Sequence, residues 1–264
     1  MNRAATDMLA AYMQYVCNET DSPATIRVRG YFVRALFAEV DVATATPAEL
    51  DTWLHGHEWA PSSMNVALSS VRHFYRWATL YGHLTANPTL YLRRPRIPRK
   101  MGRIADDKTI TVGVHRSSVA TRLMILLGAE CGLRRAEIAR AHWDDVDDGW
   151  LHVIGKGGHH REVKLSESIQ RLLDVYPVRH GYLFPGKDGG HLDPNSVYQR
   201  IRRATGVNPH ALRHRAGTTV YRNTGNNLKI AQEFLGHANP NMTAKYVHVS
   251  RDDLEFASEA AKLA

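Results

Sequence analysis

Cysteine is nearly absent from this chain: Cys17 and Cys131 are the only two among 264 residues. That excludes a disulfide scaffold and a four-cysteine zinc site, and it suits a reducing cytoplasm. Long apolar runs are missing as well; none approaches the ~20 residues that a membrane-spanning helix needs. The first segment, MNRAATDMLAAYMQYVCNETD, interrupts its apolar positions with polar ones and is not expected to be a secretory signal. Neither an internal repeat nor a low-complexity segment is visible. Acidic residues vanish from one whole stretch, since residues 59–105 hold eight Lys and Arg and no Asp or Glu. Residues 195–250 are nearly as one-sided, with eight Lys and Arg against the single acid Glu233.

What is present is globular in composition. Hydrophobic residues make up 44% and charged residues 23%, and the length suffices for two ordinary domains. Lys plus Arg is 34 against 26 Asp plus Glu, a net charge of +8. A basic chain points to a polyanionic partner, although ribosomal, membrane-surface and simply basic proteins share that balance. The two basic zones line one channel if two domains clamp a polyanion; otherwise they are two solvated basic faces. Charge alone does not choose.

The pattern predicts a mainly α fold with a small β-sheet. Residues 1–91 read as a four-helix bundle. Met8, Leu9, Tyr12, Met13 and Val16 recur at helical spacing, and Ile26, Val28, Tyr31, Phe32, Ala35, Leu36 and Val40 form a second apolar face. Thr46-Pro47-Ala48-Glu49 is a capping box that opens a third helix. A fourth runs from Ser62 to about Leu80, with Val66, Val71, Phe74, Trp77 and Ala78 inward and Arg72, His73 and Arg76 on its other side. Gly82 and Asn87-Pro88 end it. Residues 92–105 contain LRRPRIPRKMGR, whose two prolines and six basic residues make an extended basic linker. Residues 106–264 mix helix and strand. Ala120–Ala129 is an apolar helix, while Trp150–Ile154 and Arg161–Leu165 are β-prone runs joined through a glycine-rich tip as a hairpin.

Four segments of this second part carry chemistry, each with an ordinary alternative. In Cys131-Gly132-Leu133-Arg134-Arg135-Ala136-Glu137, Glu137 lies one turn from Arg134 and can orient it; an exposed Arg–Glu pair would read the same way. Lys156 on the hairpin tip can reach a ligand, or be a solvated turn lysine. In His210-Ala211-Leu212-Arg213-His214, His210 and Arg213 share a helix face. The set suits a phosphate. It fits zinc less well, because no Glu follows the first His and an Arg adjoins the second. A structural histidine is the third reading. Last comes Leu235-Gly236-His237-Ala238-Asn239-Pro240 followed by Thr243-Ala244-Lys245-Tyr246, where Tyr246 is otherwise a core aromatic.

Taken together and in order, GLRRAEI, GKGGHHREVKL, HALRH and LGHANPNMTAKYVH resemble the catalytic set of the tyrosine recombinases, also called the phage integrase family. SVRHFYRWATLYGHLTANP resembles that family's SAM-like helical core-binding domain, and Leu183-Phe184-Pro185 also fits. The resemblance implies a core-binding DNA domain at 1–91, the basic linker at 92–105, and a mixed α/β catalytic domain at 106–264 ending in an exchange helix. It implies strand cleavage by Tyr246, leaving a 3′-phosphotyrosine and a free 5′-hydroxyl that can be rejoined without ATP, metal or other cofactor. Arg134 and Arg213 would neutralise the non-bridging oxygens, because a guanidinium offers paired donors and keeps its charge. His237 would add a hydrogen bond to the phosphate. His210 would accept the tyrosine proton, and Lys156 would protonate the departing 5′-oxygen.

The same resemblance implies a clamp on double-stranded DNA core sites. Arg72, Arg76, Arg93, Arg94 and Arg96 would be the contacts of the first part, and Arg200, Arg202 and Arg203 those of the second basic zone. It implies a homotetramer on two duplexes, linked by the apolar stripe Leu254, Phe256, Ala257, Ala260 and Leu263, and it leaves room for an accessory DNA-bending or directionality factor. The expected location is the cytoplasm, with no membrane partner. Because the bundle begins almost at Met1, no arm-binding domain is expected. The implied role is integration and excision of a phage genome; a dimer-resolving chromosome or plasmid recombinase and a type IB topoisomerase-like enzyme are the alternatives. A DNA-binding regulator on an inactive scaffold and a zinc hydrolase are more distant rivals. The ending Ala-Ala-Lys-Leu-Ala is similar to bacterial degradation tags. Three departures from the family pattern stand out: His159 takes a second lysine place, Lys164 takes a proline place, and Arg135 beside Arg134 blurs the register, which Gly132-Leu133 and Glu137 resolve in favour of Arg134.

Overall fold

A computed structural model of the chain describes residues 3–97, 105–155 and 158–236. The chain divides into two compact units, Met1–Lys100 and Met101–Ala264.

The first unit is built on four helices, α1 (Arg3–Glu19), α2 (Pro23–Glu39), α3 (Pro47–Gly56) and α4 (Pro61–Leu80), followed by a 3₁₀ turn at Pro88–Tyr91. Proline sits in the first turn of α2, α3 and α4, where its missing N–H costs nothing. Ser22 caps α2, and the Thr46–Glu49 box closes on α3 with both reciprocal bonds made. Tyr12, Val16, Leu36, Leu50, Val71 and Phe74 are fully buried between the helices. Two of the expected faces are rotated from their sequence reading. Val66 is 41% exposed while its neighbours Ala67 and Leu68 fill the core, and Val28 and Tyr31 also face outward. His73, expected on the open side of α4, is instead partly buried between the Tyr12 hydroxyl and the Glu19 carboxylate, each 2.9 Å away.

The second unit contains α5 (Asp107–His115), α6 (Val119–Ala129) and α7 (Arg135–Arg140). A three-stranded antiparallel sheet follows, formed by β1 (Val146–Asp147), β2 (Trp150–Ile154) and β3 (His160–Lys164). The unit continues with α8 (Glu167–Asp174), α9 (Pro194–Thr205), α10 (Pro209–Asn223) and α11 (Leu228–Leu235). The hairpin pairs Trp150 with Lys164 through to Ile154 with His160, so Leu151, Val153 and Val163 share the buried face. β1 joins by a turn at Asp148-Gly149, both at positive φ, as a tight hairpin turn requires. α6 is the central helix: every residue from Leu123 to Ala129 is buried. α10 packs against it closely, since a Cβ placed on Gly128 would lie 3.4 Å from the Leu212 Cβ. Among the described residues, no helix is long and apolar enough to cross a membrane.

Candidate active site

The site grows from the end of α6. Gly132 follows that helix at φ +64, a conformation that side chains rarely adopt, and a Cβ there would meet Leu235 at 2.9 Å and Phe234 at 3.0 Å. Glycine is therefore needed both to end α6 and to let α11 approach. The chain then enters α7 through Arg134, whose backbone N–H donates to the Glu137 carboxylate at 2.9 Å.

Glu137 is the centre of the arrangement. Its Oε1 accepts from Arg134 Nη1 at 2.6 Å. Arg161, on β3, approaches from the other side with Nη2 on Oε2 at 2.7 Å and Nη1 on Oε1 at 3.3 Å. Arg213, on α10, brings its Nη1 within 3.9 Å of Oε2. One carboxylate that is 7% exposed thus stands among three guanidiniums. Burial on its own would raise the Glu137 pKa, but the hydrogen bonds and charge of Arg161 and the bonds from Arg134 outweigh it and hold the carboxyl below its ordinary range.

The two arginines singled out from the sequence are fixed by backbone carbonyls. Arg213 is 1% exposed, and it donates from Nη1 to the Gly132 carbonyl at 2.5 Å and from Nη2 to the Leu235 carbonyl at 2.7 Å. Arg134 Nη2 reaches the Gly236 carbonyl at 3.3 Å. The carbonyl end of α11 is where cations are favoured. Gly236 caps that helix at φ +63, and a Cβ on it would lie 3.0 Å from the Arg161 side chain.

Arg134 and Arg213 line one cavity of about 300 Å³, together with Arg135, Tyr198, Asn208, Pro209 and His210. His210 is exposed in the first turn of α10, which Asn208 caps by accepting the Ala211 N–H at 2.9 Å. His214 is buried, and its ring lies perpendicular to that of His210 with centroids 6.2 Å apart. Among the described residues, no group of three or more His, Cys, Asp or Glu side chains could hold a metal ion. Cys131 is adjacent in sequence but buried, and burial with the nearby Glu130 charge pushes its thiol up to about 12, so it is no thiolate nucleophile at neutral pH.

The cavity therefore brings together Arg134, His210 and Arg213. Lys156, His237 and Tyr246 lie outside the described residues, as do linker residues 98–104 and the tail after Gly236. Of the basic residues named for DNA contact, Arg76, Arg93, Arg94, Arg96, Arg200, Arg202 and Arg203 are exposed. Arg72 is partly buried and donates to the Leu92 carbonyl. The sequence reading overlooked Arg161. Its signal was an arginine two residues before Val163 on the same strand face: a charge on a buried face needs a partner.

Glu137→Gln is expected to destabilise the protein by about 3–5 kcal/mol at neutral pH, because it leaves buried guanidiniums without their counter-charge. A depressed folded-state pKa contributes stability above the unfolded value, near 4.3, which is lost as pH falls through the folded value. Unfolding measured against pH should show wild type and variant converging below about pH 4; a constant gap down to pH 2 would contradict the charge assignment.

Residues 105–252 match the phage integrase family. The chain is 31% identical over 226 residues to the tyrosine recombinase XerC of Xylella fastidiosa strain M23, covering 78% of this chain and 76% of that one. It is 29% identical over 243 residues to the XerC of Xanthomonas campestris pv. campestris strain B100, covering 84% and 75%. Among solved structures, it resembles a lambda integrase (75–356) dimer bound to a COC′ core site, with a TM-score of 0.77 at 21% identity over 94% of this chain and 95% of that one. It also resembles the XerH site-specific recombinase in a pre-cleavage complex with difH substrate, with a TM-score of 0.68 at 18% identity over 90% and 80%. An arginine-lined cavity on this fold, with that span of family match, leads to one conclusion: the chain belongs to the phage integrase family and is a tyrosine-type site-specific DNA recombinase.

Proposed function

We propose that the chain cuts and rejoins double-stranded DNA with Tyr246 as nucleophile. Its phenolic oxygen attacks the scissile phosphorus, the bond to the 5′-oxygen breaks, and a 3′-phosphotyrosine forms. His210 takes the phenolic proton, and Lys156 supplies one to the departing oxygen. Arg134, Arg213 and His237 hold the non-bridging oxygens, whose charge rises to two in the transition state. The supporting observation is the excess of guanidinium over carboxylate beside the cavity that holds Arg134, His210 and Arg213. Arg134, Arg135 and Arg213 line that cavity while, among the described residues, no carboxylate does, which suits that dianion.

A DNA duplex nicked beside the cut position tests this reading, because loss of the short fragment traps the intermediate. Wild type should become covalently attached at a 3′-phosphate, with EDTA present. Zinc-dependent hydrolysis without an adduct would overturn the reading, and so would binding with no adduct at all. Relaxation of any supercoiled plasmid by a monomer would instead mark the topoisomerase-like alternative.

The domain reading belongs to the same proposal. The helical unit at 1–91 and the linker at 92–105 would grip the core site, and 106–264 would carry the chemistry and the exchange helix. Arg72, Arg76, Arg93, Arg94, Arg96, Arg200, Arg202 and Arg203 would neutralise phosphates, positioning DNA more than reading it. With roughly eight such contacts, affinity should fall by three or more decades between ~50 and ~200 mM salt. A shift of less than one decade, measured by fluorescence anisotropy, would remove most of these contacts.

Assembly as a tetramer on two duplexes in the cytoplasm, with room for an accessory DNA-bending or directionality factor, belongs to the same proposal. A lambda integrase tetramer bound to a Holliday junction shares the fold. Integration of a phage genome is one role. The XerC relatives favour the other, resolution of chromosome or plasmid dimers. Sequencing of DNA trapped on the protein in its host decides between them: sites flanking a prophage support integration, and a single chromosomal or plasmid site supports resolution.

A further inference from the structure

Arg161 has no part in the mechanism above, yet it makes the most complete contact with Glu137. Both of its η nitrogens engage both carboxylate oxygens, at 2.7 and 3.3 Å, and its side chain is 8% exposed. Its place on β3 makes this unusual. It shares the inward face with Val163, opposite Val153 in the hairpin register, where an apolar side chain would pack without any desolvation penalty. Its Nε is buried and has no hydrogen-bond partner among the described residues. A buried donor left unmet forfeits its hydration without recompense, so stability alone is a poor reason to keep arginine here.

The arrangement has a geometric consequence. Glu137 carries Arg134 on one side and Arg161 on the other, so the orientation of its carboxylate plane depends on both. Arg161 also lies against Gly236, within 3.0–3.5 Å of where a Cβ would be, and Arg134 donates to the carbonyl of that same Gly236. Arg161 itself does not line the cavity. It stands behind Glu137, and its strand begins four residues after Lys156.

We propose that Arg161 is a positioning residue for DNA cleavage: by gripping Glu137 bidentately and buttressing Gly236, whose carbonyl accepts from Arg134, it fixes the Arg134 guanidinium on the scissile phosphate. Lysine is a poor substitute, because one ammonium cannot span both carboxylate oxygens in the plane that a guanidinium matches. The inference rests on the proposed phosphotyrosine reaction. Misplacing one charge-stabilising group by about an ångström costs on the order of a hundredfold in rate.

The test is single-turnover cleavage of the nicked duplex by wild type, Arg134→Ala, Arg161→Ala and Arg161→Lys. It uses an ordinary scissile phosphate and one in which a methyl group replaces a non-bridging oxygen, which removes the charge that Arg134 would meet. Arg161→Ala should cleave ordinary DNA about a hundredfold more slowly, with Arg161→Lys between it and wild type and DNA affinity within about threefold. On methylphosphonate DNA, its deficit relative to wild type should shrink to below about tenfold, in parallel with Arg134→Ala. Should Arg161→Ala fail to fold, Arg161→Lys carries the same comparison. Unchanged cleavage would overturn the proposal, and so would a deficit equal on both substrates, which marks a general structural role. Failure of the wild-type protein to form any adduct would instead overturn the phosphotyrosine reading beneath it.

Discussion

Arg213→Ala is expected to lower cleavage of a nicked duplex by about a thousandfold and to destabilise the protein by about 3–5 kcal/mol. Both effects come from the same side chain. Arg213 is 1% exposed and ties the Gly132 carbonyl, after α6, to the Leu235 carbonyl, at the end of α11. Its removal leaves two carbonyls without their donor, a void, and a Glu137 carboxylate with one fewer counter-charge. For a unit of this size, the melting temperature should drop by roughly 10 °C. The two losses separate at low temperature, where the variant is still folded. Arg213→Lys should recover part of the stability and little of the cleavage, since an ammonium lacks the planar fork whose two η nitrogens reach the Gly132 and Leu235 carbonyls and present paired donors to a phosphate. If folded Arg213→Ala cleaved within tenfold of wild type, the phosphate would have to be held by other groups.

Tyr246→Phe is the second large effect, and here stability should hardly change. The substitution removes one oxygen. In the proposed reaction that oxygen makes the new bond to phosphorus, and no water or other hydroxyl replaces it in forming a covalent adduct. Adduct yield should fall below detection, while DNA affinity stays within about twofold, because the phosphate contacts that dominate binding are untouched. Equal adduct from both proteins would end the assignment. An adduct from neither would favour the regulator on an inactive scaffold.

Local signals in the sequence predicted local structure well. The Thr46–Glu49 capping box, with Pro47 in the first turn, acts within a few residues and stands in the fold as read, whereas α4 begins at Pro61, one residue before the expected Ser62. The hairpin was legible because alternation and a glycine-rich tip specify a pairing by themselves. The inward faces of α2 and α4 were less so. Val28 and Val66 have the chemistry of core residues but point outward, because neighbouring helices, not apolarity, decide which stripe is covered. At the site, Arg134, His210 and Arg213 were legible through the resemblance that their motifs carry in order, and they share a cavity. Arg161 could not be found that way. Its partner lies 24 residues away on another element, and only the strand register turns it toward Glu137. Tyr198 was invisible for the same reason: α9 brings it to the cavity from a segment with no motif of its own.

Tyr198 also sharpens the decisive measurement. It is the tyrosine that lines the arginine cavity among the described residues, whereas in the proposed reaction Tyr246 attacks. Trapping wild-type protein on a nicked duplex, digesting the adduct with protease and nuclease, and sequencing the nucleotide-bearing peptide by mass spectrometry identifies the attacking side chain. A single 3′-phosphate-linked peptide containing Tyr246 is expected. A nucleotide on Tyr198, or on any residue other than Tyr246, would contradict it.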